Sequence, residues 1–252
     1  MLEARGLFKS FGKVAAVRGV SFVARDGQIT GLLGPNGAGK STTLRMLYTV
    51  LKPDAGDAII DGGSVIADPL AARRAIGVLS HGAGVYNNLT ARENILYFGE
   101  LHGMELAERE ARAGELIEQL EMREFADRLA KGYSQGQKLK TALARALVHR
   151  PRNVLLDEPT NGLDVMAVRN LRKLLGQLRD AGHCVLFSSH VMQEVEQLCD
   201  EVVVIAGGEV VAAGGLDEIR ARAGNAQLED AFVSLMGGAA GDDRNGNGGV
   251  AK

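Results

Sequence analysis

Gly34-Pro35-Asn36-Gly37-Ala38-Gly39-Lys40-Ser41 follows the short apolar run Thr30-Gly31-Leu32-Leu33. It precedes a stretch with apolar residues at helical spacing, Leu44, Leu47 and Leu51. The order strand, glycine-rich turn, helix, with the pattern G-x-x-x-x-G-K-[ST], is the setting in which such a turn holds phosphate. Glycines let the backbone curl so that successive N–H groups point inward at phosphate oxygens. The helix start adds partial positive charge at the same spot. Lys40 then neutralises the terminal phosphates, and the Ser41 hydroxyl ligates Mg²⁺. The competing reading is a glycine-rich turn with an incidental lysine, which the flanking strand and helix make the poorer one.

Asn153-Val154-Leu155-Leu156-Asp157-Glu158 supplies the second half of such a site. An apolar strand ends in two adjacent carboxylates. Asp157 is the candidate for Mg²⁺, held mostly through water because that ion dehydrates reluctantly. Glu158 is the candidate to take a proton from the attacking water, or to orient it. Alone, the segment reads equally well as a strand followed by a solvated acidic turn. Beside the phosphate loop it points to a nucleotide hydrolase. Tyr133-Ser134-Gln135-Gly136-Gln137 lies just before a helical stretch at 138–148. A small hydroxyl and a glycine at a helix start make a second anion site, one without a lysine of its own. Such a site suits nucleotide held by another copy of the chain; the plainer alternative is an ordinary Ser N-cap. His190 follows the strand at 184–187 through Ser188-Ser189, at the strand end where ligands bind in open α/β sheets.

Around these motifs, residues 2–8, 20–23, 58–60 and 76–79 read as strands, and 40–51 as a helix stopped by Lys52-Pro53. Residues 90–148 are helix-rich and free of proline. The continuous apolar runs at 154–156, 184–187 and 202–205 predict a mostly parallel sheet buried on both faces. An α/β core is thus split by a helical insertion. Residues 237–252, with six glycines and almost nothing to bury, read as a disordered tail.

Composition narrows the classes. The 252 residues are enough for one large domain or two small ones. Lys and Arg number 29 against 31 Asp and Glu, a net charge of −2. That balance speaks against nucleic acid as the main partner. Glycine, at 33 residues, is the outlier, against a usual share of about 7%. Trp is absent and aromatics make up 4%, so large aromatic platforms are not expected. Cys184 and Cys199 form no CxxC pair. No secretory leader or apolar run of spanning length is visible, so a reducing cytoplasmic setting is expected, with any membrane span on another chain.

The whole set resembles the ATP-binding subunits of ABC transporters, over residues 1–236. The order fits: phosphate loop at Gly34–Ser41, signature at Tyr133–Gln137, Walker B strand about fifteen residues later, D-loop at Gly162-Leu163-Asp164, switch residue His190. The resemblance implies a P-loop NTPase core of ABC type, a mostly parallel sheet with N-terminal antiparallel strands. That core takes in about 1–81 and 151–236, and the inserted helical subdomain, about 82–150, would face a membrane permease on a separate chain. It implies ATP and Mg²⁺, with Gly34 through Ser41 and Thr42 on the phosphates and Phe11 on the adenine, where a tyrosine is usual. Ser134 and Gly136, with Gln135 and Gln137 beside them, would contact the γ-phosphate held by a second copy, and His190 the γ-phosphate of its own chain. A homodimer of ATPase subunits, peripheral on the inner face of the cell membrane, follows.

Two departures stand out. The signature is Tyr-Ser-Gln-Gly-Gln where Leu-Ser-Gly-Gly-Gln is usual. After Ile76-Gly77-Val78-Leu79-Ser80 stands His81, where the family has a glutamine touching Mg²⁺ and the attacking water. Asn161 in place of the common D-loop serine is milder. The wording around His81, Tyr133–Gln137 and residues 187–194 is most similar to sodium-extrusion-type exporters. The alternative is a soluble ABC-type ATPase not devoted to transport.

Overall fold

The computed structural model describes residues 1–82, 84–224, 230 and 232; the glycine-rich stretch at 237–252 lies outside them. The chain runs β1 (Leu2–Phe11), β2 (Val14–Ala24), β3 (Gln28–Leu33), α1 (Lys40–Leu47), β4 (Ala55–Ile60), β5 (Gly63–Ser64), α2 (Pro69–Ala75) and β6 (Ile76–Leu79). It continues with α3 (Ala91–Leu101), α4 (Leu106–Gln119), α5 (Gln135–Leu147), β7 (Asn153–Asp157), α6 (Val165–Asp180), β8 (Cys184–Ser189), α7 (Met192–Leu198), β9 (Glu201–Ala206), β10 (Glu209–Gly214) and α8 (Leu216–Ala223). A four-stranded antiparallel sheet has the order β2-β1-β4-β5. A six-stranded sheet has the order β10-β9-β3-β8-β7-β6, parallel except for β10.

The apolar runs are continuous because the six-stranded sheet is covered on both faces. Leu32, Leu155, Leu186, Val203 and Ile205 pack toward the four-stranded sheet and α1. Their alternates Leu33, Val154, Leu156, Val185, Phe187, Val202 and Val204 pack toward α6, α7 and the helices inserted between β6 and β7. Several strands run longer than the apolar pattern alone suggests, β2 most of all. The first helix is shorter than expected. It ends at Leu47, and Thr49 turns left-handed at φ 65. The amides of Val50 and Leu51 then close on Arg45 O, so the chain leaves the helix before Pro53 can act.

Two buried polar side chains tie the inserted helices together. Asn94 pins the loop before α3, with its amide accepting from Tyr86 N and donating to Tyr86 O and Thr90 O. The Tyr133 hydroxyl accepts from Ala91 N and lies 2.7 Å and 2.8 Å from the carbonyls of Phe125 and Arg128. A leucine there would leave those groups without this partner, which accounts for the tyrosine in the signature.

After α5, His149 stacks on His102 with 3.6 Å between ring centres. Burial pushes its imidazole down to about 4, the neighbouring His102 adds to this, and the hydrogen bond to Ile76 O opposes it. The unfolded chain, with an ordinary histidine pKa near 6.5, therefore binds more protons between those two values. Stability from this site is full above about pH 6.5 and is lost as pH falls toward 4. Chemical denaturation should show a stability loss of about 1–2 kcal/mol between pH 7 and pH 5, allowing for partial exposure. His149→Phe should flatten that slope; an unchanged slope would remove His149 as its source.

Candidate active site

The phosphate loop sits between β3 and α1, wedged against neighbouring backbone. A Cβ on Gly39 (φ 105) would lie 2.5 Å from Ala16 O, and one on Gly34 would lie 2.3 Å from Ile205 O. Only glycine fits at either position, so β2 and β9 shape the loop from two sides. Pro35, Asn36 and Gly37 form its outer, accessible turn, and Ala38 is buried beneath. Gly39 caps α1 without a side chain, leaving first-turn N–H groups at Lys40, Ser41 and Thr42 open to an anion. Lys40 is buried; its ammonium donates to Gly34 O at 2.7 Å and Pro35 O at 3.1 Å, and lies 3.8 Å from Glu158 Oε1. Burial lowers its pKa, against the pull of the Glu158 and Asp157 carboxylates.

Asp157 closes β7 with 2% exposure. Its Oδ1 accepts from Ser41 Oγ at 3.0 Å and from Ser188 Oγ at 2.7 Å. Its Oδ2 is buried and has no hydrogen-bond partner. An orphaned carboxylate oxygen beside a serine hydroxyl is an oxygen donor set that fits Mg²⁺. Glu158 stands at φ 50, a left-handed conformation a non-glycine residue adopts only where its surroundings impose it. Here its N–H donates to Ser188 Oγ at 3.0 Å. Its carboxylate faces three groups at once: His190 Nδ1 lies 3.3 Å from Oε1, Lys40 Nζ 3.8 Å from Oε1, and His81 Nδ1 4.0 Å from Oε2. The glutamine position is thus filled by an imidazole that reaches the same carboxylate.

A cavity of about 400 Å³ opens here, lined by His81, Asp157, Glu158, Asn161, Gln135 and Lys138 among others. Ser134, Gly136 and Gln137 line a different cavity of about 350 Å³, together with Asp164. Ser134 caps α5 in a reciprocal box: its hydroxyl accepts from Gln137 N, and the Gln137 side chain accepts from Ser134 N. Asp164 caps α6 by accepting from Ala167 N. Phe11, 51% exposed, sits where the β1–β2 hairpin turns, paired with Val14. The structure therefore brings Lys40, Ser41, His81, Asp157, Glu158 and His190 together, and sets Ser134, Gly136, Gln137 and Asp164 apart from them.

Ser188 was not among the residues the sequence singled out, yet it holds both carboxylate positions. Its place follows from the fold: Ser188 sits opposite Asp157 in the parallel register of β7 and β8, directly before Ser189-His190. Ser188→Ala leaves Glu158 N and one Asp157 bond without this partner. Urea denaturation should show a loss of about 1–3 kcal/mol, with less than 0.5 kcal/mol arguing against the role.

Known proteins resemble this chain in sequence and in fold. The ABC transporter family matches residues 17–161. "ABC transporter ATP-binding protein NatA" of Bacillus subtilis (strain 168) is 41% identical over 88% of this chain and 91% of its own. "Daunorubicin/doxorubicin resistance ATP-binding protein DrrA" of Streptomyces peucetius is 39% identical over 89% of this chain and 68% of its own. A solved dimeric structure of the ATP-binding cassette MJ0796 in a post-hydrolysis state, bound to ADP and Pi, superposes with a TM-score of 0.76. It is 29% identical, covering 86% of this chain and 99% of that one. No helix among the described residues is long and apolar enough to cross a membrane. The chain belongs to the ABC transporter family, as an ATP-binding subunit that hydrolyses ATP.

Proposed function

We propose that the chain powers an exporter through a sandwich of two copies closed by ATP. The convergence of Lys40, Glu158 and His190 on one side, with Ser134 in a separate cavity, carries this reading. A bound nucleotide places its phosphates on the N–H groups of Gly34–Thr42 and its terminal charge near Lys40. Phe11 stacks on the adenine. Ser41 and Asp157 hold Mg²⁺, which when bound neutralises charge on the phosphates. Glu158 accepts the proton of the attacking water as the bond from the γ-phosphorus to the ADP oxygen breaks. His190, beside Glu158, contacts the γ-phosphate, and His81 orients the water from the opposite edge. Ser134 and Gly136 of the second copy complete the γ-phosphate contacts, so its loss on hydrolysis loosens the pair.

The parts at 1–81 and 151–236 act as the nucleotide-holding core, and 82–150 faces a membrane permease on another chain. An open cavity of about 750 Å³ between them supports this, with Val50, Leu70, Phe98, Leu101, Arg145 and His149 in its wall. Val50, Leu70 and Leu101 are large apolar side chains left exposed there. The chain then sits on the cytoplasmic face through that permease. For cargo we propose Na⁺, on the likeness of residues 187–194 and His81 to sodium-extrusion exporters; the relative named for daunorubicin and doxorubicin resistance speaks for a different cargo.

Glu158→Gln should keep ATP binding, abolish turnover and trap the dimer, read by light scattering. A variant that stays monomeric in saturating Mg·ATP would sink the sandwich. Everted vesicles carrying the chain and its co-purifying permease should accumulate Na⁺ on ATP addition. Accumulation equal to that of vesicles with Lys40→Ala would refute sodium as cargo.

A further inference from the structure

Glu194 is a carboxylate with only 8% exposure, in the first turn of α7. Its Oε2 accepts two hydroxyl hydrogen bonds, from Thr160 Oγ1 at 2.8 Å and from Ser189 Oγ at 2.8 Å. Neither donor belongs to its own helix. Ser189 ends β8 and directly precedes His190; its hydroxyl also accepts from Val191 N at 2.9 Å, fixing the turn around the histidine. Thr160 belongs to the turn from Glu158 to Asp164. There Asn161 N–H donates to Glu158 O and Leu163 N–H donates to Thr160 O. One buried oxygen atom therefore joins the loop carrying His190 to the loop leading to Asp164.

Burying a carboxylate is costly unless it is well bonded. Bonds to an ionised acceptor are the stronger kind, and hold geometry more tightly than neutral ones. Ser188, Ser189 and His190 divide the work: the first holds Asp157 and Glu158 N, the second Glu194, the third faces the Glu158 carboxylate. We propose that Glu194 is a positioning residue for hydrolysis, clasping the His190 loop and the Thr160–Asp164 turn in one register around Glu158. It touches no reacting atom. The proposal rests on the reading of Glu158 and His190 as hydrolytic groups.

Steady-state hydrolysis and Mg·ATP titration of the full chain test it. Glu194→Ala should lower kcat about 10–100-fold, the scale of a small misplacement at a reacting centre. KM for Mg·ATP should stay within about twofold, since Lys40 and the phosphate loop are untouched. Glu194→Gln, whose amide oxygen can still accept both hydroxyls, should restore most of the rate. Thr160→Val should lower kcat several-fold and should not lower it further once Glu194 is alanine; Ser189→Ala, which also loses the bond from Val191 N, should lower it by clearly less in that background than alone. Wild-type kcat per folded molecule in Glu194→Ala, or losses from the two hydroxyl variants that persist undiminished in its background, would overturn the clasp. Should Glu194→Ala not fold, unchanged kcat in both hydroxyl variants overturns it equally. A wild-type chain without turnover would overturn the hydrolytic reading, and this proposal with it.

Discussion

A carboxylate buried at the end of a central strand is the constraint on which the site depends. Asp157 is almost wholly out of water, and a charge in that position is tolerable only if hydroxyls, amides or a cation attend it. The strand order β3-β8-β7 supplies the attendants. β8 lies directly beside β7 and offers Ser188; β3 lies one strand further and feeds the loop that starts α1 at Lys40-Ser41. Because all three strands are parallel, their carboxyl ends meet at one edge of the sheet, where open α/β folds bind ligands. Half of Asp157 is satisfied by the protein, and the other oxygen is left without a partner. A buried carboxylate oxygen without a partner costs stability, and the proposed Mg²⁺ would relieve that cost. The protein gives up some stability for a place where charge is wanted.

The same edge explains why the loop must be glycine-rich. The four-stranded sheet lies over one face of the six-stranded sheet, and the Ala16 carbonyl of β2 comes within bonding range of any side chain on Gly39. The N-terminal hairpin, which puts Phe11 at its tip, is therefore packed against the phosphate loop. Adenine and phosphate recognition in the proposed scheme are thus held side by side.

Much of this could be read in the sequence because the chemistry is local. A glycine pattern, a lysine and a serine lie within eight residues, and two carboxylates end an apolar run; spacing alone carries both. The parallel sheet was legible too, since strands buried on both faces lose their alternation. What escaped depends on register or on backbone geometry. Ser188 matters because it lies across from Asp157, and no single-chain pattern states which residues of two distant strands are level. Glu194 drew no reading of its own; only the fold turns it inward to Thr160 and Ser189. The end of α1 was placed too late because Thr49, a β-branched residue, takes a left-handed turn that propensity disfavours. Tyr133 looked like a departure from the signature, and its hydroxyl network became visible only with the loop from Phe125 to Arg128 in place.

The separation of the two anion-binding helix starts has a consequence for how the chain can work. α1 opens at the cluster of Lys40, Asp157 and Glu158, while at the start of α5 Ser134 lies in a cavity shared with Asp164, and Gln135 and Lys138 face the cavity of Asp157 and Glu158. Within one chain the Ser134 hydroxyl is occupied by its own capping bond to Gln137 N. It can accept in that bond and still donate its proton to a phosphate oxygen, so the cap orients it without consuming it. A helix start prepared in this way is well placed for an anion already held elsewhere. Two copies facing each other would supply that anion in both directions at once. Each site would then be incomplete alone, and the γ-phosphate, the group the reaction severs from ADP, would be the one that holds the halves together.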